Sequence, residues 1–224
     1  MRYLLIGAAG HAQEVAWALT EQLSRRGQVA ELRFFDDNLP RGRVASGLGD
    51  VVGPLDAVRE HLHGDEVRLV LAVGLPRTKA ALVARLASLA MPWATVIHPL
   101  AIVGPNVTVG EGSYVAAGAV VTVNARLGRF VTVNVHCLVA HDDVVGDLAT
   151  LHPDVHLSGN ISIGTGVEVG AGSLVIQGTT IGDWAILGAG CVAIRSLEGH
   201  ETWVGVPAAR VSRRPHMRHA MGER

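Results

Sequence analysis

The chain has 224 residues, 49% hydrophobic and 17% charged, with a formal net charge of −1. That length allows one large domain or two small ones, and the near-neutral charge gives no support to nucleic-acid binding. No apolar run reaches the ~18 residues of a membrane span, and Met1-Arg2-Tyr3 opens no secretory leader, so a cytoplasmic protein without a membrane partner is expected.

Residues 1–94 read as strands alternating with helices. Tyr3–Ile6 is an apolar run closed by Gly7-Ala8-Ala9-Gly10-His11. Val15, Ala16, Leu19 and Leu23 then follow helical spacing, which predicts a helix over Glu14–Leu23. Leu32–Phe35 reads as a second strand closed by Asp36-Asp37-Asn38, and Asp56–His61 as a short helix. Leu69–Val73 reads as a third strand ended by Gly74, and Pro76–Leu89 as a helix with Pro near its start. Such alternation implies a small parallel sheet of Rossmann type. Strand, Gly-x-x-Gly and helix in succession offer free N–H groups to an anion. Ala9 and Ala12 stand where a dinucleotide fingerprint needs Gly, so NAD is not expected.

Residues 95–195 follow a different rule. Every sixth residue from Val103 to Leu187 is Val, Leu or Ile, fifteen positions without a miss. If about one residue in three were aliphatic, chance would produce this run with probability on the order of 10⁻⁷, so it is an internal repeat. A six-residue period fits a chain wound as a triangular coil, one short strand and one turn per side. Aromatic content of 4% suits its narrow interior. Gly follows the aliphatic position at 104, 110, 128, 146, 164, 170, 182 and 188, where a permissive corner is expected. Cys137 and Cys191 lie three coils apart, or ~14 Å at ~4.8 Å per strand. A disulfide spans at most about 7 Å between Cα atoms, so both are expected as small buried thiols. Residues 196–224 leave the repeat, and the tail Arg213–Arg224 is basic.

Two residues before each aliphatic position the side chain is small or apolar, and Asp143 is the one charged exception. It stands in Ala140-His141-Asp142-Asp143, the densest ionisable group of the coil. A His beside carboxylates on an otherwise blank scaffold suits a general base, the carboxylate orienting the ring. A solvated corner His with acidic neighbours is the other reading of these residues.

The hexads resemble those of the left-handed parallel β-helix acyltransferases. Trp203-Val204-Gly205-Val206-Pro207-Ala208-Ala209-Arg210 is similar to the V-G-x-P-A-R segment that follows the helix in those enzymes. Gly7–His11 with Phe35-Asp36-Asp37 and Ala72-Val73-Gly74 resembles one branch, the sialic-acid O-acetyltransferases and UDP-4-amino-sugar N-acetyltransferases. The resemblance implies a Rossmann-like domain followed by a left-handed β-helix, a homotrimer with active sites between subunits, and acetyl-CoA as acyl donor. It also implies His141 as general base, with Asp142 raising its basicity, in direct transfer without an acyl-enzyme. Asp143 lies outside the family pattern. Thr150 stands where the branch often has a His on acetyl-CoA, and Ala171 and Ala189 match backbone that lines the coenzyme groove. Ala9, Gly10 and His11, with Asp36, Asp37 and Gly74, match the nucleotide-sugar site.

The expected reaction is N-acetylation of a UDP- or dTDP-4-amino-sugar in bacterial surface-glycan synthesis, with sugar O-acetylation as the alternative. Two remoter alternatives are a non-catalytic sugar-nucleotide scaffold and a zinc enzyme like the γ-class carbonic anhydrases. His136 and His141 have the five-residue spacing of two zinc ligands in that class, but the position of the third is Leu100, so no metal is expected.

Overall fold

β1 (Arg2–Ile6) is buried along nearly its whole length because it is the fourth strand of a five-stranded sheet. A computed structural model describes residues 1–63 and 66–211 of the chain; the basic tail Arg213–Arg224 lies outside the described residues. α1 (Gly10–Ser24) begins four residues earlier than the apolar spacing suggests. The glycine turn feeds it directly, and in its first turn only Ala12 is apolar, too little for periodicity to detect. β2 (Glu31–Phe35) follows, then β3 (Gly42–Arg43), β4 (Asp50–Gly53), β5 (Val67–Leu71) and α2 (Pro76–Leu86). The sheet order is β3-β4-β2-β1-β5, parallel except for the β3–β4 pair. β3 and β4 were not legible in the sequence: they are two and four residues long, among Gly and Pro, with only Val51 and Val52 as apolar signal.

From Val96 onward two-residue strands repeat every six residues to Ala193, stacking 18 residues apart as a parallel β-helix. The prism has three faces. The docked face, which includes Tyr114–Val115, Thr132–Val133, Thr150–Leu151 and Glu168–Val169, lies toward the Rossmann-like domain. The second face includes Val120–Val121, Leu138–Val139 and Leu174–Val175, and the third includes Arg126–Leu127, Val144–Val145 and Ser162–Ile163. The repeat's aliphatic residues point inward: Val121, Val133, Val139, Leu151, Leu157 and Val169 are fully buried. Truncating one to Ala costs about 2–5 kcal/mol in a close-packed core. Residues 196–211 abandon the six-residue spacing but not the prism. Thr202–Val204 pairs with Ile186–Leu187 and buries Trp203 in the core.

The glycine expectation is corrected. Left-handed backbone falls three residues after each aliphatic position, as at Asn106, Gly118, Asn124, His136, Asp142, Asp154 and Gly172. The glycines one residue after the aliphatic position serve close approach instead. A Cβ on Gly104 would lie 2.6 Å from Thr122 O of the next coil, and one on Gly170 2.5 Å from Ala189 N. Bulky Phe130, Leu148 and Trp184 also take positive φ, a cost of about 1–2 kcal/mol each. They stack at the corner between the third and docked faces, and packing offsets the cost. Phe130 meets Trp93 edge-on at 5.3 Å, Leu148 packs on the Rossmann core, and Arg77 lies over Trp184.

Lys79 of α2 locks the two units together. It is 1% exposed, and its Nζ donates to Phe130 O (2.8 Å) and Ala149 O (3.0 Å) and lies 3.3 Å from Thr132 Oγ1. Burial pulls its pKa down to about 7, with Glu168 opposing. Either protonation state satisfies the three partners. The ammonium donates three hydrogens; the amine donates two to the carbonyls and accepts from the Thr132 hydroxyl.

Candidate active site

The ionisable corner lies between the second and third faces. Leu138–Val139 delivers Ala140 to the turn, and Asp142 occupies its left-handed position at φ 61°. Asp is among the few L-residues that tolerate this conformation, because its short side chain hydrogen-bonds locally. His141 Nδ1 lies 2.9 Å from Asp142 Oδ2, with both side chains 46% exposed. Hydrogen bonds from His141 and from Asn124 hold the Asp142 carboxyl below the usual range. An ionised carboxylate only accepts, so Nδ1 carries the ring proton and Nε2 presents a lone pair. The ring lies against the next coil at Gly159, where a Cβ would stand 2.8 Å from Nε2. Gly159 is thus required by contact as well as by its φ of 104°.

Asp143 faces the other way. It is fully buried, and its carboxylate accepts from Ala140 N (2.8 Å) and Ile161 N (2.9 Å). The same inward position holds Ser113 and Ser173, whose hydroxyls accept from Val131 N and Cys191 N of the next coil. Asp143 is therefore a staple between coils at the His141 corner. Burial raises its pKa to about 6 against the two N–H groups that favour its charge.

The expected substrate residues gather elsewhere. A cleft of about 470 Å³ between the two units is lined by Gly10, His11, Glu14, Gly74, Asn134 and His152, among others. His11 lies 3.4 Å from Glu14 and edge-on to the Tyr114 ring. His152 Nε2 lies 2.9 Å from Glu168 Oε1. Asn134, and Glu168 as the partner of His152, carried no signal in the sequence, because only the packing of coils and domains brings Asn134 and His152 beside the glycine turn. Asp36 braces that turn: its Oδ2 accepts from Ala8 N and its Oδ1 from Asn38 N. Asp37 accepts from Leu55 N and pairs with Arg85 at 2.5 Å. Ala9 caps α1 in extended backbone. Beside the turn a second hollow of about 240 Å³ carries Arg41 and Arg43.

Thr150 is 1% exposed and its hydroxyl donates to Gly74 O at 2.5 Å, so it joins the two units. Ala171 and Ala189 are exposed and stacked at the corner between the docked and second faces, where Gly190 N donates to Ala171 O. Cβ atoms on Gly172 and Gly190 would meet nothing within 4 Å, which leaves an open ledge. Cys137 and Cys191 are buried free thiols, and burial pushes Cys137 up to about 11, far from a nucleophile's range.

His136 and His141 stand on different corners, at opposite ends of Leu138–Val139; His136 turns to Asp154 at 3.6 Å. Among the described residues no three His, Cys, Asp or Glu side chains converge as a metal site.

Residues 2–86 match the family model of the PglD N-terminal domain. GDP-perosamine N-acetyltransferase of Escherichia coli O157:H7 is 31% identical over 84 residues, and the match spans 38% of each protein. Solved structures extend the likeness along the whole chain. The acetyltransferase domain of PglB from Neisseria gonorrhoeae superposes with TM-score 0.85 and 32% identity, covering 94% of this chain and 99% of that one. A variant of perosamine N-acetyltransferase from Caulobacter crescentus, in complex with CoA and GDP-perosamine, gives TM-score 0.85 and 30% identity over 95% of this chain and 98% of that one. No described helix is long and apolar enough to cross a membrane. Identity of 30–32% sustained over 94–95% of the chain, on a prism of hexads joined to a PglD-type domain, makes this protein a member of the hexapeptide-repeat sugar acetyltransferases.

Proposed function

We propose that the chain moves the acetyl group of acetyl-CoA onto the amine of a nucleotide-activated amino-sugar, in the cytoplasm. The observation that carries this reading is the His141–Asp142 pair on an exposed corner, with Nε2 free to take a proton. His141 Nε2 accepts the proton of the sugar amine as its nitrogen attacks the thioester carbonyl. The C–N bond forms, a backbone N–H stabilises the tetrahedral oxyanion, and collapse breaks the C–S bond. The imidazolium returns its proton to the departing thiolate. The products are an acetamido-sugar and CoA. The cleft at His11, Gly10 and Gly74 takes the acceptor, with Ala9, Asp36 and Asp37 framing its nucleotide half. The ledge at Ala171 and Ala189 takes the pantetheine arm, and Thr150 holds the seam beneath the acceptor.

In one chain the His141 corner and the acceptor cleft lie on different corners of the prism. In the homotrimer we propose, the cleft of one copy faces the His141 corner of the next. The second face supports it too: Ile102, Val120, Leu138, Leu174 and Val192 point outward there in one row, apolar except for His156 between Leu138 and Leu174. Such a stripe on a soluble protein favours association. Replacing Leu138 and Leu174 together with Asp is expected to give monomers without transferase activity, as read by light scattering and a thiol-release assay.

The acceptor is tested by supplying acetyl-CoA with GDP-, UDP- and dTDP-linked 4-amino-sugars and with free sialic acid. Release of CoA with a nucleotide amino-sugar is the expected result. Acetylation of sialic acid alone would establish O-transfer instead.

A further inference from the structure

Asp142 has a second partner behind it. The left-handed corner positions between the second and third faces carry Asn106, Asn124 and Asp142 in successive coils, at φ 59°, 60° and 61°. Asn124 Nδ2 lies 3.1 Å from Asp142 Oδ1, and Asn106 Nδ2 lies 3.3 Å from Asn124 Oδ1. The direction of this ladder follows from chemistry. The ionised Asp142 carboxylate can only accept, so the Asn124 amide must turn its NH₂ toward it. Its carbonyl then faces back and receives the NH₂ of Asn106. The two carboxylate oxygens are thus divided: Oδ1 is held by Asn124, and Oδ2 is left for His141 Nδ1 at 2.9 Å. Among the described residues these two hydrogen bonds are what restrains the carboxylate plane at this exposed corner. A carboxylate free to rotate would spend part of its time hydrogen-bonded to water, and the ring would lose its bias toward the Nδ1–H tautomer.

We infer that Asn124 is a positioning residue for the transfer reaction: it fixes the plane of Asp142 and, through it, the tautomer and orientation of His141. This rests on the reading of His141 as the base. Asn also suits the backbone here, so the test has to separate the amide from the turn. Asn124→Gly does so, since glycine adopts positive φ without penalty. Asn106→Gly is the matched control, the same change one coil farther from the site.

Asn124→Gly is expected to lower kcat about tenfold, the scale for groups that orient a functional side chain from behind. KM for both substrates is expected to stay within about twofold, and the unfolding midpoint to match that of Asn106→Gly, whose kcat stays near wild type. In an Asp142→Asn background the Asn124→Gly change is expected to add no further loss, because the residue acts only through the carboxylate. ¹⁵N NMR of the His141 ring is expected to show Nδ1–H dominant in the wild type and in Asn106→Gly, and mixed tautomers in Asn124→Gly. An undiminished tenfold loss in the Asp142→Asn background would overturn the inference, as would an unchanged tautomer in Asn124→Gly. If His141 is not the base, His141→Ala keeps its activity while the NMR measurement still decides whether the ladder orients the ring.

Discussion

Replacing His141 with Ala is expected to lower kcat by about 10²–10⁴-fold, the contribution proposed for it as a positioned general base. The variant is expected to keep the fold, its oligomeric state and a KM for acetyl-CoA close to wild type. The physical ground is the ring's place: half exposed on a corner, outside the core that the hexads build. In the next coil the ring lies against Gly159, which loses only a surface contact. Steady-state kinetics, with light scattering of the same samples, checks both statements. A variant retaining more than about a tenth of wild-type kcat would remove His141 from the chemistry.

Replacing Lys79 with Ala destabilises the protein by about 3–5 kcal/mol at pH 9, through a cavity and an unsatisfied buried carbonyl. Phe130 O loses its donor, whereas Ala149 O keeps Thr132 N. The pH dependence has a definite sign. The folded-state pKa is about 7, below the ordinary lysine value of about 10.4. Between those two values the unfolded chain binds more protons, so stability rises with pH. Below about pH 7 both states are charged and the burial cost opposes folding in full. The rise is at most about 1.4 kcal/mol per pH unit for one group. Lys79→Met, which keeps the volume and removes the titration, is expected to lose this rise. Urea unfolding of wild type and Lys79→Met at pH 7 and pH 9 measures it; parallel slopes would show that Lys79 does not titrate in this window.

His141 and Asp142 stood out as an ionisable pair because the hexads leave so little chemistry around them, and the structure brings their side chains together. Asp143 was legible as an exception but not in its role. Its phase in the repeat marks it as inward, yet only the next coil shows that its carboxylate takes Ala140 N and Ile161 N. Asn124 carried no signal at all, since 18 residues separate it from Asp142 and the ladder exists only once coils stack. Thr150 shows the reverse case: a position picked by resemblance is occupied with holding Gly74.

By itself the sequence determined the coil, because a six-residue aliphatic period admits one way of burying Val, Leu and Ile on every side of a narrow prism. It also determined the Rossmann-like half wherever strands were long and apolar, as in Tyr3–Ile6 and Leu69–Leu71. Only the tertiary structure decided which residues meet. Lys79 reaches across 51 residues to Phe130, and His11 faces Asn134 and His152 across the seam. It also separated His136 from His141, five residues apart in the chain but on different corners. Periodicity reports the direction of each side chain relative to its own strand. Contacts between coils and between domains depend on the stacking distance and on how one unit docks on the other, and neither is a local property of the chain.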